Sequence, residues 1–183
     1  FIEANQFLSD KKFLDQVLGL DPEGYSHDFD PNGNKTLDEY RQQINEFNRV
    51  LEIIRNELKS DIKLGIFHLL CSEFKQDGSK HINQLISHFL NHIKEFVIKD
   101  VVELDIEFGE IAEKIQSIPK SPEDLSELRK YLNYVYETDK ARKKKLDITN
   151  DRFAFLEEFH FSISDDEFEK MYKALQWPQK ISI

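Results

Sequence analysis

A single cysteine, Cys71, stands among 183 residues. One thiol excludes an internal disulfide and a cysteine-rich zinc site, and it fits a reducing, intracellular compartment. Glycine (6) and proline (5) are scarce, so the many turns of an all-β fold lack their usual residues. Basic charge is in deficit: 25 Lys and Arg against 35 Asp and Glu leave a net charge of -10. That argues against nucleic acid as a partner, because phosphate contacts need a basic face. No apolar run approaches the ~20 residues that cross a bilayer, and the N-terminus lacks a signal-peptide layout, so no membrane partner is expected. There is no GxxxxGK[ST] phosphate loop and no Ser-centred elbow. A first residue of Phe, not Met, is expected of a piece of a longer chain.

What is present is charge and aromatic bulk. Charged residues make up 33% and hydrophobic residues 39%, against the usual ~25% and ~45–50%. Fifteen Phe and six Tyr supply most of the large apolar surface. Many charges with few breakers predict long helices. Phe7, Leu8, Phe13, Leu14, Val17 and Leu18 give helical spacing over Ala4–Leu18, which Gly19 and Pro22 end. The polar stretch 21–35 reads as a loop. A second helix is predicted over about Thr36–Lys59, with Leu37, Tyr40, Ile44, Phe47, Leu51, Ile54 and Leu58 stepping by three and four. Lys63–Cys71 is short and apolar, and reads as a strand-like or irregular link closed by Asp77-Gly78. A third helix is predicted over about Ser79–Ser117, some 58 Å if continuous, and Pro119 ends it.

The fourth helix starts at an N-cap, Ser121, with Pro122 in the first turn and Glu123 and Asp124 facing the positive dipole end. It continues toward Phe159, with a bend expected around Asp147–Asn150. Ser164 and Glu167 form a capping box for a fifth helix that Trp177-Pro178 ends.

Four constellations could carry chemistry. Asp28, Asp30, Asn32, Gly33, Asn34 and Glu39 fall at the positions of a calcium loop, three side-chain oxygens, a turn glycine, a carbonyl and a bidentate Glu. Lys35 occupies a normally apolar loop position, and a polar turn capping the second helix fits as well. His81, His88 and His92 share a helical face, and His88/His92 have the spacing of two metal ligands. No third ligand is evident, and no metal site is assigned. Lys140, Arg142, Lys143, Lys144 and Lys145 form a basic run, flanked by Asp139 and Asp147, that reads as a solvated face. Cys71 with His68 has the residue types of a nucleophile pair, and a buried small hydrophobe is the simpler reading of Cys71.

Three stretches taken together resemble one family. They are Lys63-Leu64-Gly65-Ile66-Phe67-His68-Leu69-Leu70-Cys71-Ser72-Glu73-Phe74-Lys75, the block from Pro119 through Glu123-Asp124-Leu125-Ser126-Glu127-Leu128 to Tyr131-Leu132, and the end from Phe155–Phe159 to Leu175–Ile181. In this order they resemble the tail of dynein heavy chains of axonemal type, just before the linker to the motor ring. The likeness covers about Asp61 to the C-terminus; the first sixty residues match only in being helical.

The resemblance implies stacked helical bundles that hold heavy chains together, bind intermediate and light chains and dock to the doublet microtubule. It implies a cytoplasmic location in the ciliary axoneme. ATP and Mg would be bound in a ring further along the polypeptide. This segment is then expected to be no enzyme, with no catalytic, cofactor-binding or metal-binding residue of its own. The expected fold is all-α, an elongated antiparallel bundle of long helices. Its parts would be residues 1–60 with the polar loop at 21–35, the long-helix bundle 61–160, and a short helix 161–183 leading to the linker. Ile82, Ile86, Phe89, Ile93, Phe96, Leu125, Leu128, Leu132 and Leu156 are the expected core. The alternative function is a calcium-responsive helical module using 28–39.

Overall fold

A computed structural model describes residues 12–64 and 66–180. The described chain is all-α apart from one β-hairpin. It divides into two compact units, residues 1–92 and 93–183.

In the first unit, α1 spans Lys12–Leu18; the rest of the helix expected from Ala4 lies outside the described residues. The stretch read as a loop contains a second helix, α2, over Pro22–Phe29. Its apparent breakers are its start signals. The Asp21 side chain accepts from the Gly24 N–H at 2.7 Å, and Pro22 takes a first-turn position where its missing N–H costs nothing. Helix α3, Leu37–Glu52, opens with a reciprocal capping box between Thr36 and Glu39. It buries Tyr40, Ile44, Phe47, Val50 and Leu51.

A single π turn, Ile53–Glu57, follows without interruption. Ile54 and Leu58, on either side of this turn's centre, are both buried. The apolar link is an antiparallel hairpin of β1, Asp61–Leu64, and β2, Phe67–Leu70, with Lys63 opposite His68.

Helix α4 runs over Ser72–Gln116, so it begins ahead of Asp77-Gly78, which does not break it. Gly78 lies in its second turn, where a Cβ would make ordinary van der Waals contact, 3.4 Å from Ile54 Cδ1 and 3.7 Å from Leu18 Cδ2. The centre of this unit is Phe89, fully buried and ringed by Tyr25, Phe29, Tyr40 and Phe47 at 5.0–5.8 Å between centroids.

The second unit is built from the later turns of α4, α5 over Pro122–Glu158 and α6 over Asp165–Lys180. Ser121 and Asp124 cap α5 reciprocally, and Ser164 and Glu167 do the same for α6. No break interrupts α5 at Asp147–Asn150. It ends in a left-handed residue, His160 (φ 52°), with Phe161 N–H returning to the Leu156 carbonyl at 2.9 Å. The last helix runs past Trp177-Pro178 to Lys180, so that pair does not end it. Leu104, Phe108, Ile111 and Val135 form the buried centre, with Ile115, Tyr131, Leu146 and Trp177 packed against it.

Of the expected core, Ile82, Phe89, Ile93 and Leu156 are buried, while Ile86, Phe96, Leu128 and Leu132 are half-buried. Leu125 is the exception, 55% exposed. The Lys114 ammonium lies 4.2 Å over the Tyr131 ring, and α4 ends soon after, at Gln116. The α5 turns before Tyr131 therefore run beyond the end of α4, and Leu125 has no α4 turn opposite it.

Gly109 has open space where a Cβ would stand. Gly109→Ala is expected to stabilise the chain by about 1 kcal/mol through helix propensity alone. The melting temperature should rise by roughly 2–4 °C in thermal circular dichroism. An unchanged or lower value would mean that glycine serves a purpose here beyond the space it leaves.

Candidate functional site

The calcium-loop residues fold into a joint between α2 and α3. Asp28 is exposed in the last turn of α2, while Asp30 is buried, 3% exposed. The Asp30 carboxylate accepts from the Asn34 N–H at 2.8 Å, the Lys35 N–H at 3.2 Å and the Tyr40 hydroxyl at 3.1 Å. Gly33 makes the sharp turn that the motif requires, at φ 69°. Glu39 folds back onto its own helix end at the surface. It accepts from Thr36 N–H and hydroxyl and pairs with Lys35 Nζ at 2.7 Å. The Lys35 hydrogen bond, then those from Thr36, lower its pKa to about 2. Among the described residues, Asp28, Asp30 and Glu39 do not gather into a group able to share a cation. The calcium reading is corrected accordingly: the same spacing closes a polar turn and caps a helix.

The histidine face separates in a similar way. His92 is buried, 6% exposed. Its Nε2 donates to the Asp30 carbonyl at 2.8 Å, and a carbonyl can only accept, so that nitrogen carries the proton. The ring meets His27 edge-on, 4.7 Å between centroids. His81 and His88 are half-buried and join no three-ligand group among the described residues, whereas His92 lies with His27 and Glu95, their ligand atoms within 4.8 Å of one another, which corrects the expectation that no third ligand stands near it. His27, absent from the spacing argument because 21–35 read as a loop, is what His92 meets instead. His68 pairs with the Asp61 carboxylate diagonally across the hairpin, and half-buried Cys71 donates its N–H to the Ser60 carbonyl at 2.8 Å.

The basic run divides into three parts. Lys140, Lys143 and Lys144 are exposed as expected. Arg142 is not, at 4% exposed. Its guanidinium donates to Glu107 Oε1 at 3.2 Å, to Thr138 Oγ1 at 2.7 Å and to the Val135 carbonyl. Lys145 pairs with Glu103 and stands 3.7 Å from Asp100. The Lys145 hydrogen bond and charge hold the Glu103 pKa below its ordinary value.

Arg152 bonds Asp100 at 2.8 Å and lies 5.2 Å over the Phe96 ring. Lys94 bridges to Glu167 at 3.2 Å, and Trp177 Nε1 donates to Asp105 at 2.7 Å while its ring stacks on Phe108. A signal for Arg142 was available. Val135, Arg142, Thr149 and Leu156 recur every seven residues, and all four are buried. The arrangement holds helices together through pairs of opposite charge on the flanks of apolar seams. Among the described helices none is long and apolar enough to cross a membrane.

No family model matches the chain. Two curated relatives do. The chain is 29% identical over 143 residues to dynein axonemal heavy chain 1 of Homo sapiens, a match covering 78% of this chain. It is 28% identical over 146 residues to dynein axonemal heavy chain 1 of Mus musculus, covering 80%. The matched segment is about 3% of the length of either relative. The resemblance read from three blocks of sequence thus extends over about four-fifths of the chain, which is similar to a segment of axonemal dynein heavy chains.

Proposed function

We propose that the chain is a structural, force-transmitting tail segment of a dynein heavy chain, part of a minus-end-directed microtubule motor of ciliary axonemes. One observation carries the reading: likeness to dynein axonemal heavy chain 1 along most of this chain. The long, mutually packed helices support it, since a helix with a continuous buried seam resists bending and passes load along its axis. In this reading residues 61–160 are the load-bearing bundle and residues 161–183 lead toward the linker. The segment scaffolds heavy, intermediate and light chains and contributes to docking on the doublet microtubule. ATP hydrolysis belongs to a ring elsewhere on the polypeptide, not to these residues.

The test is the size and company of the native polypeptide. An antibody raised against Ser121–Glu137 is used on a denaturing gel of the source cells and then for capture from axonemes. The expected band is many times larger than the 183-residue chain, its tryptic peptides include phosphate-binding loops, and intermediate and light chains are captured with it. A band of the chain's own size, with no such peptides, would overturn the assignment.

A further inference from the structure

The α4 and α5 seams repeat alike. On α4, Val97, Val101, Leu104, Phe108 and Ile111 are buried at alternating steps of four and three. On α5 the buried positions return every seven residues, from Val135 to Leu156. Two seams of that period also fit when one helix is displaced by a heptad, so apolar packing alone leaves the alignment open. Apolar burial would in fact favour one displacement. Moving α5 by a heptad away from the closed end of the helical hairpin would bring Leu128 alongside the last turn of α4 and cover surface now left open there.

The charges choose otherwise. Arg142 meets Glu107, Lys145 meets Glu103 and Arg152 meets Asp100, partner numbers falling as α5 numbers rise. After the displacement that covers Leu128, Arg142 would still meet a carboxylate, Asp100, but Lys145 would face Phe96, Arg152 would face Ile93, and Glu103 and Glu107 would lose their cations. After the opposite displacement, Arg142 would enter the seam beside Lys114. Only the observed alignment matches all three pairs.

We propose that Arg142, Lys145 and Arg152 with Glu107, Glu103 and Asp100 form a register key. The key holds α5 in the one alignment that matches all three pairs, at the expense of leaving Leu125 exposed and Leu128 half-buried. A buried polar group at a seam position is best attested in this specifying role, and here it is Arg142. If the segment transmits force as proposed above, the key opposes sliding of α5 along α4.

The test is a distance measurement between spin labels at E113C and K144C, both exposed positions, in the full chain with C71S. The unaltered ladder should give one distance. K145E/R152E should add a second population, longer by up to about 10 Å, seven residues at the helical rise. The charge swap D100K/E103K/K145E/R152E should restore the first distance. A reversal variant that keeps its helical signal and the single original distance would overturn the proposal, as would a charge swap that does not restore it. If the reversal loses helicity, K145Q/R152Q takes its place under the same two outcomes.

Discussion

Phe89→Ala is expected to destabilise the chain by about 3–5 kcal/mol, the range for emptying a fully buried Phe site. Phe89 has no exposed surface, and four aromatic rings from α2 and α3 converge on it. Edge-on and tilted rings are held by their mutual geometry as well as by burial. None of them can fill the gap without giving up a contact of its own. The melting temperature should fall by roughly 10 °C or more. Phe89→Leu, which leaves a smaller void, should cost clearly less. A loss below about 1 kcal/mol for the alanine variant would mean that the cluster collapses onto the site and is not the keystone described above.

Asp30→Ala is expected to cost about 3 kcal/mol, because one buried carboxylate receives three donors and a buried donor left without its acceptor costs about 1–3 kcal/mol. The donors are the Asn34 and Lys35 N–H groups and the Tyr40 hydroxyl. Asp30→Asn keeps one acceptor oxygen and should fall between. Thermal melts with and without calcium separate this role from cation binding. A site that bound the ion would add about 2.7 kcal/mol at a hundred times its dissociation constant. The unaltered protein should melt at the same temperature in millimolar calcium and in chelator. A rise with calcium would return Asp28–Glu39 to the list of ion sites.

The helix starts were legible where a cap and a first-turn acid stood together, as at Ser121 and Ser164. The start of α2 was not, although Asp21-Pro22 is the same kind of signal. Pro22 was read with Gly19 as the end of the helix before it, and only the Asp21 cap shows that it also starts the next one. Gly78 misled in another way. One glycine costs a helix only about 1 kcal/mol, and the buried stripe that follows it in α4, from Ile82 onward, outweighs that. Leu125 lies on a regular apolar stripe, so periodicity placed it inside. Its exposure follows from where α4 stops, which no local pattern states. Arg142 was hidden within a basic run whose other lysines are in solvent. Its heptad position was visible, but its counter-charge lies on another helix, at Glu107. The calcium motif shows the same ambiguity at a site: acidic residues at regular short intervals serve a metal or a turn equally well, and the direction of the Asp30 side chain decides.

The single tryptophan has a practical consequence. Trp177 is held by Asp105 through its indole N–H and by Phe108 through its ring. Its light emission is therefore a local gauge of whether α6 is seated on α4. When the helix lifts, the indole loses both neighbours and enters water, so the emission shifts to the red and becomes open to soluble quenchers. Residues 1–92 contain tyrosine and phenylalanine but no tryptophan. Selective excitation of the indole thus follows residues 93–183 alone.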